Sequence, residues 1–136
     1  ENRIKGLVRA DILNILRNHS NNGVKVILLS GGPTQLIQHI VNFVGADVGI
    51  GTDYEVIDGM YSGLTSKAPC VGENKVIYLQ QYIKSSGLDV DLESSFAYGD
   101  STADLAMLNL VGNPVAVYPD KKLNIHAEDN SWKVIK

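Results

Sequence analysis

The chain has 136 residues, of which 44% are hydrophobic and 20% charged, as expected for one soluble globular domain. Its net charge of −3, without a basic cluster, argues against nucleic acid or a membrane surface as a partner. The single cysteine, Cys70, excludes an internal disulfide and favours a reducing compartment, so we expect a cytoplasmic protein.

The first half of the chain alternates between amphipathic and apolar stretches. Residues 8–19 predict a helix, and residues 24–29 predict a strand that is buried on both faces. The glycine segment, Ser30-Gly31-Gly32, then predicts a turn. Pro33 suits the first turn of the helix that follows, which we expect to reach about Val44.

The alternation continues through the second half. Two alternating runs flank Asp58-Gly59, which predicts a β-hairpin. The other predicted strands are residues 47–50, 94–98, 114–118 and 132–135, and the other predicted helices are residues 75–84, 102–110 and 120–129. This order predicts an α/β fold, Rossmann-like, with a mostly parallel sheet and flanking helices, as one domain over residues 1–136.

Candidate binding groups follow the predicted strands, where parallel sheets bind their ligands. The hydroxyl of Ser30 and the amides of the glycine segment could bind an anion at a helix N-terminus, although a tight turn needs glycine for steric reasons alone. Lys75 lies at a helix start, where the helix dipole does not favour a cation. It is either a solvated surface lysine or a group that neutralises a phosphoryl oxygen and a neighbouring carboxylate.

The strongest chemical signal is G-D-S-T-A-D, in which Asp100 follows a predicted strand and Asp104 lies one helical turn further on. Carboxylate oxygens are ligands suited to Mg²⁺, which takes only one or two of them together with water and substrate phosphate. The alternative is helix capping by Asp100 or Ser101, with Asp104 in the first turn. We favour the metal interpretation because both acids follow the end of one strand.

In this order and spacing, these motifs resemble the haloacid dehalogenase-like hydrolase superfamily, and most closely its phosphoserine phosphatase-like branch. V-K-V-I-L-L-S, C-V-G-E-N-K-V and A-Y-G-D-S-T-A-D-L-A-M-L are similar to the second, third and fourth motifs of that family. The resemblance implies that Ser30, Gly31 and Lys75 bind the phosphoryl group and that Lys75 and Asp100 are catalytic. It also implies that Asp100 and Asp104 serve a Mg²⁺ cofactor.

The first motif of the family, an apolar strand ending in Asp-x-Asp, supplies the nucleophile and is not found in its place here. The only such triplet, Asp89-Val90-Asp91, follows no buried strand and lies between the third and fourth motifs, so we interpret it as a surface loop. The chain begins with Glu1 rather than Met. We therefore expect a C-terminal portion that lacks the central nucleophile-bearing strand and the cap.

The functional hypothesis is the C-terminal part of a Mg²⁺-dependent phosphomonoester hydrolase acting on a small, phosphoserine-like phosphorylated metabolite. The resemblance implies an aspartyl-phosphate intermediate on a nucleophile upstream of residue 1, so the chain alone should be inactive. A missing N-terminal segment or another chain would complete the sheet. The alternative is a non-catalytic α/β module that binds a phosphorylated ligand or partner.

Overall fold

The structure, a computed structural model, describes residues 8–136 and confirms the α/β class with parallel sheets and flanking helices. The chain divides into two compact units, one ending at Cys70 and the other spanning Val71–Lys136. None of the helices in the described part of the chain is long and apolar enough to cross a membrane.

From residue 8 onward, the first unit starts with two helices and a pair of parallel strands. Helix α1 spans Ala10–Asn21, β1 spans Ile27–Pro33, α2 spans Thr34–Val44 and β2 spans Val48–Thr52. The buried residues of α2 are Ile37, Val41 and Val44. A Cβ on Gly49 of β2 would lie 2.7 Å from both Ile37 and Val41 side chains, so this glycine lets the helix pack closely on the strand.

The predicted hairpin is confirmed. Strand β3, Tyr54–Ile57, pairs antiparallel with β4, Met60–Thr65. Asp58 and Gly59 join them with φ angles of 51° and 78°. Positive φ at both central residues is what a tight hairpin turn of the favoured hand requires, and Asp-Gly adopts it at little cost.

The second unit contains a parallel three-stranded sheet. Its strands are β5, Phe96–Gly99, β6, Asn113–Val117, and β7, Lys133–Ile135, in the order β5-β6-β7. Its helices are α3, Glu73–Ser86, the four-residue α4, Leu105–Leu108, and α5, Lys121–Asp129, with a 3₁₀ turn at Thr102–Asp104. Five buried residues form the core: Ala97, Leu108, Ala116, Leu123 and Ala127.

Three predicted elements were wrong in detail. The first strand begins at Ile27 rather than residue 24 and includes the glycine segment, while Pro33 has ψ 136° and is the N-cap of α2 instead of a residue of its first turn. The single helix predicted for residues 102–110 is a 3₁₀ turn followed by α4. It is interrupted because Asp104 has φ −94° and ψ 1°, outside the α-helical region.

Each of the two parallel sheets has an edge that the described residues leave open. Within residues 8–136, β1 pairs only with β2, and β5 pairs only with β6. Open parallel edges expose unpaired backbone groups and commonly pair with a further strand. This observation is compatible with the expected additional strand, which remains a prediction.

Candidate active site

The glycine segment lies in an irregular stretch of β1. Leu29 pairs with Ile50 and Pro33 with Thr52, so the three residues of the segment stand opposite the single residue Gly51. The surplus residues cannot all join the ladder, which leaves backbone groups available for other partners. The predicted anion-binding residues Ser30 and Gly31 therefore lie in a bulge of β1.

Gly51 brings the bulge close to β2. A Cβ at this position would lie 2.8 Å from the carbonyl oxygen of Gly32 and 2.9 Å from Cα of Thr34. Both atoms belong to the backbone and cannot rotate away as a flexible side chain would. The absence of a side chain at Gly51 is thus a condition for this shape of the glycine segment.

Three hydrogen bonds hold the segment and the start of α2. The amide of Gly32 donates to Oγ of Ser30 at 3.1 Å, and the hydroxyl of Tyr54 donates to the carbonyl oxygen of Gly31 at 3.3 Å. Thr34 Oγ1 donates to Asp53 Oδ1 at 2.6 Å. Sequence reasoning missed Asp53 and Tyr54, although both directly follow the end of β2, where ligand-binding groups are expected.

In the second unit, Lys75 is not a solvated surface lysine. It lies in the first turn of α3, and its Nζ is 2.6 Å from Oδ1 of Asp104. The two side chains are only 15% and 9% exposed, respectively. A charge that is removed from water needs a partner of opposite sign. Lys75 and Asp104 supply this partner to each other, so the ion pair carries almost no net charge.

Asp100 and Asp104 have different surroundings. Asp100 directly follows β5 and is exposed, while its backbone carbonyl accepts a hydrogen bond from the amide of Asp120 at 2.9 Å. Asp104 is buried within the 3₁₀ turn. As the capping alternative predicted, Ser101 is the N-cap residue of the 3₁₀ turn and Asp104 lies in that turn, but neither Ser101 nor Asp104 makes a side-chain cap hydrogen bond.

Gly99 lets Asp104 approach the end of β5. A Cβ on Gly99 would lie 2.8 Å from Cβ of Asp104 and 3.0 Å from its Oδ2. A side chain at this position would push Asp104 away from the strand and strain its bond to Lys75. The glycine of the Gly99-Asp100 pair in the fourth motif is therefore needed for steric reasons, whereas Asp100 supplies a chemical group.

The carboxylates suit a hard cation that keeps most of its water. The described residues include no group of three or more histidine, cysteine or acidic side chains placed to share a metal. Asp100 offers an exposed carboxylate at the end of β5, and Asp104 has one oxygen engaged by Lys75. This donor chemistry fits Mg²⁺, which uses few protein ligands.

The triplet Asp89-Val90-Asp91 lies in a loop before β5, with both carboxylates exposed, as predicted. The carboxylate of Asp91 accepts hydrogen bonds from Ser94 Oγ at 2.7 Å and from the amides of Glu93 and Ser94 at 3.1 and 3.3 Å. The bonds from Ser94 and Glu93 lower the pKa of Asp91 below its ordinary value of 3.8. This carboxylate stabilises a turn and does not follow a buried strand.

The family model for haloacid dehalogenase-like hydrolases matches residues 1–109, so the chain belongs to that family. Curated relatives include a probable phosphatase of Mycobacterium tuberculosis, 32% identical over 129 residues that cover 95% of this chain and 44% of that protein. A phosphoserine phosphatase of the same organism is 31% identical over 116 residues, 85% of this chain and 37% of that protein. A histidinol-phosphatase of Neisseria meningitidis is 30% identical over 123 residues, with 89% and 55% covered.

Solved structures share the fold of this chain. A protein of unknown function from Bordetella pertussis has a TM-score of 0.88 at 28% identity, covering 98% of this chain and 60% of that one. A substrate-bound phosphoserine phosphatase has a TM-score of 0.74 at 24% identity, with 90% and 56% covered, a likeness of fold. The predicted phosphoserine phosphatase-like branch is confirmed by the family model and the curated relatives. The chain spans about half the length of the curated relatives it matches.

Proposed function

We propose that this chain is the C-terminal part of a Mg²⁺-dependent phosphomonoester hydrolase. The observation that carries the proposal is the largely buried ion pair of Lys75 and Asp104, close in sequence to the exposed Asp100 at the end of β5. Membership of a hydrolase family also supports phosphate-ester hydrolysis, as do the relatives that are named as phosphatases.

The proposed chemistry transfers the phosphoryl group to an aspartate upstream of residue 1 and then hydrolyses the aspartyl-phosphate. In the first step, the bond from phosphorus to the leaving oxygen breaks as the bond to the carboxylate forms, and the leaving oxygen takes up a proton. In the second step, water attacks phosphorus and loses a proton, the bond to the aspartate breaks, and inorganic phosphate and the free aspartate result. Lys75 would neutralise negative charge on the phosphoryl group, and Ser30 and the amide of Gly31 would donate hydrogen bonds to it. The contacts of Lys75 support its role, since Asp104 keeps the ammonium in one orientation.

Asp100 would be the principal carboxylate for Mg²⁺, with Asp104 as a second ligand or as an acceptor for metal-bound water. Once bound, the ion would offset charge on the transferring phosphoryl group. The exposure of Asp100 supports its role as the principal ligand, because the hydrated ion must be able to reach the carboxylate.

The substrate class that we propose is a small phosphorylated metabolite. Relatives of this chain are named for phosphoserine and for histidinol phosphate, both phosphomonoesters that carry an amino group.

The partner that completes the sheet is proposed to be the upstream segment or another chain, pairing with the open edges of β1 or β5. We propose a cytoplasmic location because the sequence has a single cysteine, Cys70, and so no internal disulfide.

The test compares the complete protein with the 136-residue chain. We expect the complete protein to hydrolyse p-nitrophenyl phosphate with Mg²⁺ and to lose this activity with EDTA, whereas the isolated chain shows no turnover. Phosphoserine and histidinol phosphate then serve as natural candidates. Binding of phosphate and Mg²⁺ by the complete protein without any turnover would instead favour the non-catalytic module.

Robust turnover by the isolated chain that disappears in Asp100→Asn would contradict the upstream nucleophile. Asp89→Asn is the matched control, because it removes one charge from an exposed loop position. It should leave turnover by the complete protein unchanged.

A further inference from the structure

Tyr54 contacts the glycine segment from the first residue of β3. Its hydroxyl donates to the carbonyl oxygen of Gly31 at 3.3 Å in a partly buried position. Its ring lies edge-on to that of Tyr61 in β4, with centroids 6.0 Å apart. The hairpin therefore fixes the ring while the hydroxyl reaches back to β1.

The carbonyl group that Tyr54 contacts belongs to the Gly31-Gly32 peptide, which also makes a hydrogen bond with Ser30. The carbonyl of Gly31 and the N–H of Gly32 lie in one planar trans peptide and point in opposite directions. The N–H end donates to Oγ of Ser30 at 3.1 Å. The hydroxyls of Tyr54 and Ser30 are thus hydrogen-bonded to the two ends of one rigid peptide group.

This arrangement determines how the hydroxyl of Ser30 can be used. Because Oγ of Ser30 already accepts the proton of Gly32, its own O–H remains the donor for another group. Phosphoryl oxygens accept hydrogen bonds and cannot donate them when ionised. Two successive glycines have wide backbone freedom, so an external contact is needed to keep this peptide in one orientation.

We propose that Tyr54 is a positioning residue for phosphoryl binding, acting on Ser30 through the Gly31-Gly32 peptide. The inference rests on the proposed phosphatase function, in which Ser30 contacts the phosphoryl group. Tyr54 itself need not touch the substrate.

A double-mutant cycle tests the proposal in the complete protein with p-nitrophenyl phosphate and Mg²⁺. Tyr54→Phe keeps the ring and removes the hydroxyl, and we expect kcat/KM to fall about three- to tenfold, the range for one lost hydrogen bond. In the Ser30→Ala background the same change should have little further effect. An unchanged kcat/KM in Tyr54→Phe, or an equal loss in both backgrounds, would overturn the proposal. Tyr61→Phe is the matched control and should retain activity.

A second measurement separates failure of this inference from failure of the proposed function. In ligand-free protein labelled with ¹⁵N-glycine, Tyr54→Phe and Ser30→Ala should each shift the amide signal of Gly32, while Tyr61→Phe should not. If the wild-type protein has no phosphatase activity, the proposed function fails, and the Gly32 signal still reports on the peptide. An unmoved Gly32 signal in Tyr54→Phe would overturn the positioning role whatever the activity.

Discussion

Nζ of Lys75 lies 2.6 Å from Oδ1 of Asp104, a contact between residues 29 positions apart in the chain. The ammonium comes from the first turn of α3 and the carboxylate from the 3₁₀ turn after β5. Both side chains are largely removed from solvent. Each ion therefore depends on the other for compensation of its charge.

Replacing Lys75 with Met should destabilise the protein and abolish its activity. The change leaves the carboxylate of Asp104 buried without its cation, at a cost of about 2–4 kcal/mol in the free energy of unfolding. Urea unfolding of the complete protein measures the loss. Lys121→Met, at an exposed position in α5, is the control and should change stability by less than about 0.5 kcal/mol. A Lys75→Met protein as stable as the wild type would contradict the role of the pair.

Substitutions of the two aspartates in the fourth motif, Asp100 and Asp104, should differ in their effects on activity and on stability. Asp100→Asn removes a charge from an exposed side chain, so we expect a change of less than about 0.5 kcal/mol in stability but about a hundredfold or greater loss of Mg²⁺-dependent turnover. Asp104→Asn weakens a buried ion pair and should cost about 1–3 kcal/mol as well as activity. Thermal melting and kcat, measured over a Mg²⁺ titration, test both. Equal destabilisation by the two substitutions would argue against this difference in environment.

Two glycines of β2 offer a matched comparison. Gly51→Ala places a methyl group against backbone atoms of Gly32 and Thr34, whereas Gly49→Ala places it against the side chains of Ile37 and Val41. Both should lower stability by about 1–3 kcal/mol through overpacking. Only Gly51→Ala should also weaken inhibition of the complete protein by inorganic phosphate. Equal inhibition constants for the two variants would show that the shape of the glycine segment does not matter for anion binding.

The loop carboxylate of Asp91 should affect stability without affecting activity. Its pKa is lowered by hydrogen bonds from Ser94 and Glu93, so the folded state favours the ionised form. The resulting stabilisation is present above the ordinary value of 3.8 and disappears as the pH falls through the lower folded-state pKa. The difference in melting temperature between wild type and Asp91→Asn should therefore shrink with acidification below about pH 4.

Turnover by Asp91→Asn at neutral pH should match that of the wild type. A loss of turnover with melting unchanged would instead indicate that the triplet of Asp89 and Asp91 takes part in the chemistry. Asp89→Asn, also at an exposed loop position, is measured in parallel.

Local patterns sufficed for several elements. Asp58-Gly59 predicted the hairpin because few other pairs adopt two positive φ angles cheaply, and α2 ends at Val44 because Gly45 takes the left-handed conformation with φ 76°. The predicted end of β1 was wrong for a non-local reason. Contact with Gly51 of β2 allows the chain to continue as an irregular strand through Pro33.

The amino-acid sequence by itself determined the order of strands and helices, the family, and the candidate residues Ser30, Lys75 and Asp100, because these depend on local patterns and ordered motifs. Only the tertiary structure decided which acid Lys75 meets and which tyrosine contacts Gly31. Those contacts join residues 29 and 23 positions apart, so they arise from strand pairing and helix packing that no short stretch of sequence encodes. Burial, which distinguishes Asp104 from Asp100, likewise depends on packing around Gly99.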